Sequence, residues 1–235
     1  MRGFAHIDTW IFDLDNTLYP ASCRLFDQID QRMGEFVSRL FGIEVKEARQ
    51  RQKELFHRHG TTLRGLMSEH GILPDGFLDY VHDIDYSPVQ PDAPLDAALH
   101  GLPGRKLIFT SGTVPHARQV LSRLGVTHHF GDIFDIVHAD FAPKPQAPAY
   151  DAFFARHAVR AETSAMFEDI ARNLEIPHQR GMTTVLVTSP DNHDANLLNA
   201  RAYWQEERGA TLPPHVDHAT GDLAVFLTTL SAERH

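Results

Sequence analysis

The stretch "IFDLDNTLYP" (Ile11–Pro20) decides the reading. A short apolar run ends in two aspartates, Asp13 and Asp15, one residue apart. Ile11 and Phe12 favour burial, whereas two neighbouring carboxylates repel each other and are costly to bury. Other parts of the chain must offset that cost.

Working outward, further apolar runs bounded by turn residues read as buried strands: Thr9–Phe12, Lys106–Thr110, Ile133–His138, Ser164–Phe167 and Thr183–Val187. Helical patterns lie between them. In "SGTVPHARQVLSRLG", Thr113 suits a helix cap, Pro115 a first turn and Gly125 a stop, with Val114, Ala117, Val120, Leu121 and Leu124 on one stripe. The segments after Lys144 and Asp169 read as helical too. Strands alternating with helices imply a parallel sheet covered on both faces. From Ala21 to about Gln90 that rhythm stops. Leu25, Ile29, Met33, Phe36, Val37 and Leu40 recur at helical spacing, and helical patterns continue through Val45–Arg58, Thr62–His70 and Gly76–Asp83. The fold expected is therefore α/β, a parallel-sheet core at residues 1–19 and 92–235 with an all-helical insertion at 20–91.

Composition narrows the function. The 235 residues carry a net charge of −9, which argues against a nucleic-acid polymer as partner. No apolar run is long enough to span a bilayer. With one cysteine, Cys23, and no apolar leader at the N-terminus, the chain reads as cytoplasmic. The histidines number 16, and the close pairs among them, His128/His129 included, read as surface or ordinary core residues.

In open parallel sheets, ligands bind beyond the carboxyl ends of the strands. Four such ends carry polar groups: Asp13 and Asp15, then Thr110 and Ser111, Lys144 after the third strand, and Glu168 with Asp169. Carboxylates converging on one cleft repel unless a divalent cation joins them, and hard oxygen donors point to Mg²⁺ rather than zinc. Lys144 adds positive charge. Thr110, Ser111 and the backbone N–H groups around Gly112 suit phosphate oxygens. This is the inventory of phosphoryl transfer, with Asp13 attacking phosphorus and Asp15 serving as acid and then base.

"DLDNT" (Asp13–Thr17), "TSGT" (Thr110–Thr113), "KPQ" (Lys144–Gln146) and "EDIARN" (Glu168–Asn173), in that order, resemble the four motifs of the haloacid dehalogenase superfamily. The resemblance implies a Rossmann-like core with a helical cap after the first motif. It implies that Thr110 and Lys144 hold the phosphoryl group. Asp13, Asp169 and the backbone carbonyl of Asp15 would bind Mg²⁺, and Glu168 would reach it through water. Asn173 would orient a metal ligand or face solvent. Within the superfamily, "FDLDNTLYP", "GTTLRGLM" (Gly60–Met67) and the acidic pair followed by Asn173 look most like pyrimidine 5′-nucleotidases, with Ser111 and Glu168 departing from that group's usual Asn and Asp. The partner implied is a small phosphorylated metabolite, a nucleoside monophosphate by this likeness. Arg64 can reach its phosphate or base, or remain a solvated helix arginine. Tyr19 and Phe56 are candidates to stack on a base or to pack in the hinge. A sugar-phosphate phosphatase, a phosphomutase, a dehalogenase and a non-catalytic phosphate sensor are the alternatives. Asp15 and the Glu168–Asp169 pair argue against the dehalogenase.

Overall fold

The structure is a computed structural model that describes residues 3–188 and 212–232. Six parallel strands form one sheet, in the order β3-β2-β1-β4-β5-β6. They are β1 (Thr9–Phe12), β2 (Arg105–Phe109), β3 (Phe130–Phe134), β4 (Ser164–Glu168), β5 (Thr183–Val187) and β6 (His218–Thr220). Every residue of β1 is buried, as a central strand covered on both faces requires. Successive side chains alternate between those faces. Trp10 and Phe12 enter one core, where Phe12 stacks on Phe167 at 4.7 Å. Ile11 enters the other, with Leu107, Phe109 and Met166.

Between β1 and β2, after a short 3-10 turn at Ala21–Cys23, run five α-helices: α1 (Leu25–Phe41), α2 (Val45–His59), α3 (Thr62–His70), α4 (Pro74–Val81) and α5 (Ala93–Gly101). The first four share a core of their own, built on Ile29, Val37, Leu55, Leu66, Phe77 and Val81. The fifth, α5, packs on the sheet: its Leu95 and Leu99 join the Trp10 core. The proline-rich stretch Ser87–Leu95 has the turn residues of a linker, and α5 begins within it. The helix starts there because Asp92 accepts the Leu95 N–H as N-cap and Pro94 stands in the first turn, where no amide hydrogen is required. Beyond β2 come α6 (Val114–Leu124), α7 (Ala147–His157), α8 (Glu175–Gln179) and α9 (Leu223–Ala232). The cap of α6 is Thr113 and its stop is Gly125, at φ +80°. Cys23 lies partly buried against the Trp10 core.

One strand departs from expectation. The apolar run predicts a strand at Ile133–His138, but β3 ends at Phe134. Asp135 stops it: its carboxylate accepts the N–H groups of Val114 and His138, which turns the chain. Ile136 then leaves the sheet and packs in the helical segment's core. The stretch 189–211, assigned with the core by sequence, lies outside the described residues.

Candidate active site

Asp13 directly follows β1. Its N–H donates to the Phe167 carbonyl at 2.9 Å, so the residue is held in register by the sheet itself. The chain then turns sharply through Asn16 at φ +62°, a conformation asparagine tolerates better than most residues. That turn returns Thr17 to Asp13, and its hydroxyl donates to Asp13 Oδ2 at 3.1 Å. The other oxygen, Oδ1, accepts from Lys144 Nζ at 2.7 Å.

Lys144 is the hub of the site. Its ammonium also donates to Glu168 Oε1 at 2.6 Å and to the Phe109 carbonyl at 3.1 Å, and its side chain is 3% exposed. Burial alone would lower its pKa; Asp13 and Glu168 reverse that and hold it charged. Glu168, at the end of β4, is fixed from the other side. Asn173 Nδ2 donates to Oε1 at 2.7 Å and the Ile170 N–H to Oε2 at 2.8 Å. Asn173 is therefore a buried support for Glu168, not a solvent-facing residue, and Tyr150 in turn donates to its carbonyl at 2.7 Å.

Asp169 is 7% exposed, and oxygens of Asp13, Glu168 and Asp169 all lie within 4.8 Å of one another. Burial pushes the Asp169 carboxyl well up, with Glu168 and Asp13 adding to it. Burial likewise raises Asp13, to about 7, against the pull of Lys144. Three carboxylates against one ammonium leave a formal excess of two negative charges in a buried, all-oxygen pocket. That donor set fits a hard divalent cation of the Mg²⁺ class and offers it no sulfur or imidazole.

Asp15 points elsewhere. Its Oδ1 accepts from the Tyr19 hydroxyl at 2.5 Å and lies 2.8 Å from His116 Nε2. Burial would raise this carboxyl, but the charge and hydrogen bond of His116, with Tyr19 helping, hold it below the usual value. The other ring nitrogen of His116 lies 3.0 Å from the Tyr86 hydroxyl. Tyr19 is thus spoken for by Asp15 and buried, which removes it as a base-stacking surface. His116 carried no sequence motif. Its place three residues after the Thr113 cap, on the first turn beside a strand end, is the one clue. Behind it a cleft of about 410 Å³ opens between α4 and α6, lined in part by His82, Asp83, Tyr86, Thr113 and Gln119. The carboxylate cluster does not line it; His116 is its link to Asp15.

At the end of β2, Thr110 is buried and Ser111 exposed. The Gly112 N–H donates to Thr110 Oγ1 at 2.9 Å, so within this pair the amide is already engaged. Arg64, on α3, does not touch the carboxylates. It donates to Gln146 Oε1 at 2.5 Å, two residues beyond Lys144. Gly60 faces the same side chain, and a Cβ there would stand 3.0 Å from Gln146 Nε2. The α2–α3 corner thereby rests on the loop that presents Lys144.

The chain belongs to a hydrolase family: a model for haloacid dehalogenase-like hydrolases matches residues 7–178. Among curated proteins it is similar to phosphate metabolism protein 8 of Saccharomyces cerevisiae, 26% identical over 195 residues, which are 75% of this chain and 60% of that protein. The chain thus aligns with somewhat less than two thirds of that relative. Among solved structures it resembles a HAD phosphatase from Thermococcus onnurineus, with a TM-score of 0.61, 19% identity and coverage of 97% of this chain and 100% of the other. It also resembles the L-2-haloacid dehalogenase of Xanthobacter autotrophicus, with a TM-score of 0.52, 15% identity and coverage of 96% and 97%. At these identities the structural likeness speaks for the fold.

Proposed function

We propose that the protein is a Mg²⁺-dependent phosphomonoester hydrolase working through an aspartyl phosphate on Asp13, and that its substrate is a pyrimidine nucleoside 5′-monophosphate. The observation that carries the reading is the separate tethering of the two aspartates. Asp13 is held by Lys144 and Thr17 among carboxylates, while Asp15 is held by Tyr19 and His116. Displacing halide from carbon requires no such second carboxylate; hydrolysing a phosphate ester does.

Asp13 attacks phosphorus, and the ester oxygen leaves with a proton that Asp15 passes on from the His116 ring nitrogen 2.8 Å away. Asp15, now a carboxylate, takes a proton from water, which attacks the phosphorus and frees Asp13. Lys144 and Thr110 hold the phosphoryl oxygens, with Ser111 and Gly112 beside them. Asp13, Asp169 and the Asp15 backbone carbonyl would hold Mg²⁺, with Glu168 behind them. When bound, the ion neutralises the carboxylates and orients the phosphoryl group. Residues 20–91 act as a cap over a core of 1–19 and 92–235, and Arg64, poised on the Lys144 loop, contacts the substrate. The nucleotide class rests on "FDLDNTLYP" and "GTTLRGLM". The name of the yeast relative fits phosphate release in general. A cytoplasmic location accords with the lone cysteine, and no described helix is long and apolar enough to cross a membrane.

The test is phosphate release from a panel of nucleoside monophosphates and sugar phosphates, with Mg²⁺ or EDTA, beside an Asp13→Asn control. UMP or CMP leading, with loss in EDTA and in the control, is the expected result. Sugar phosphates leading would overturn the substrate class, isomer formation without free phosphate would indicate a mutase, and halide release surviving EDTA would overturn the reaction.

A further inference from the structure

A second cluster of metal-ligating side chains lies at the amino end of the sheet, beside its edge strand β3. His128 and His129 form the turn that enters β3, and both reach one carboxylate oxygen of Asp96 on α5. His129 Nε2 lies 2.7 Å and His128 Nε2 3.2 Å from Asp96 Oδ1. All three ligand atoms fall within 4.8 Å of one another. Around a four-coordinate ion with bonds near 2 Å, donor atoms stand about 3.3 Å apart, so only a small relaxation is needed to admit one. The site is partly pre-organised. The His129 side chain is 6% exposed and fixed, with its ring centroid 4.0 Å from that of His128, while the His128 side chain is 64% exposed. His100 stands four residues after Asp96, one turn further along the same face of α5, with its ring 6.3 Å from that of His129. It is exposed and can supply a fourth ligand.

We propose that Asp96, His128 and His129, completed by His100 or water, form a binding site for a borderline divalent cation of the Zn²⁺ class. Imidazole donors select such an ion over Mg²⁺, so this site and the all-carboxylate pocket differ in chemistry. They also differ in place. The histidines precede β3, at the amino end of the sheet, whereas the catalytic candidates follow the carboxyl ends. A metal here joins α5 to the α6–β3 connection. It stabilises the core without entering the reaction.

The test uses the full chain, stripped of metal and titrated with Zn²⁺ by calorimetry, and with Co²⁺ by visible absorption, whose intensity separates a four-coordinate site from a six-coordinate one. His128→Gln and Asp96→Asn both alter exposed or half-exposed positions, and circular dichroism checks that each is folded. The expected result is one equivalent of Zn²⁺ bound at micromolar Kd or tighter. Its affinity falls at least tenfold in both variants, with loss of the Co²⁺ bands and of the Zn²⁺-induced rise in Tm. Mg²⁺-dependent turnover of His128→Gln stays at the wild-type level. Zn²⁺ equivalents, affinity and Co²⁺ spectra unchanged in both variants would overturn the proposal, as would no Zn²⁺ binding by the wild type.

Discussion

Replacing Asp169 by Asn should make the metal-free protein more stable. The Asp169 carboxylate stands within 4.8 Å of both Asp13 and Glu168. At an effective dielectric of about 20, each such repulsion would amount to roughly 3 kcal/mol, with Lys144 offsetting about one of the two, so the carboxyl takes up a proton on folding instead. Asn keeps the shape of that protonated carboxyl, and its amide can donate to Glu168 likewise, without the cost of binding the proton. A gain of about 2–3 kcal/mol is expected in EDTA at pH 7, or roughly 5–10 °C in Tm for a chain of this size. The sign with pH follows from the direction of the shift. Asp169 is raised in the folded state, so folding there takes up a proton at neutral pH, and the penalty fades as pH falls toward the unfolded value of 3.8. The variant's advantage should shrink likewise. Added Mg²⁺ should reverse the ranking, because a ligand at about one thousand times its Kd adds about 4.1 kcal/mol to the wild type alone. Urea and thermal unfolding with EDTA or Mg²⁺ measure all of this. An Asp169→Asn protein less stable than wild type in EDTA, or equally stabilised by Mg²⁺, would refute the reasoning.

Lys144→Met removes the one ammonium bridging Asp13 and Glu168. It should cost about 3–5 kcal/mol in urea unfolding, less with Mg²⁺ present, since a buried pair loses one partner. His116→Gln retains a donor for Asp15 but loses the second ring nitrogen facing Tyr86. Steady-state kinetics should show kcat down by about tenfold or more with KM little changed, and a changed KM alone would argue against a role at Asp15. Burial, with repulsion from His116, lowers His82 from 6.5 to about 4. A base depressed on folding lends stability that is complete above pH 6.5 and lost as pH falls toward 4, in all about 3 kcal/mol. His82→Gln should therefore lose less stability than wild type between pH 7 and 4, and equal slopes in urea titrations at stepped pH would exclude that role.

The centre of the sheet was legible because a strand buried on both faces must be a continuous apolar run. Thr9–Phe12 and Thr183–Val187 read true to the residue. The polar groups just beyond β1, β2 and β4 stood out because they interrupt buried apolar runs, where burial limits what can stand. Ile133–His138 misled because an apolar run does not say which core it enters, and Ile136 enters a different one. β6, three residues long, and α9 carry too little pattern to announce themselves. His116 was invisible as a partner of Asp15, for 101 residues separate them and no periodicity spans that distance. The Arg64–Gln146 contact, across 82 residues, was hidden in the same way.

Ile136 has a mechanical consequence. Its backbone N–H is bound to the Gly112 carbonyl in the loop after β2, while its side chain is buried among helices α1 to α4. The residue is a rivet through both layers. Lifting the helices from the sheet as a rigid body would pull that side chain into water, at about 2 kcal/mol, which alone holds the open form to a few per cent. Substrate entry by such a swing would then draw on a minor population, and anything that rewards closure, such as a ligand spanning Arg64 and Lys144, would make that population smaller still.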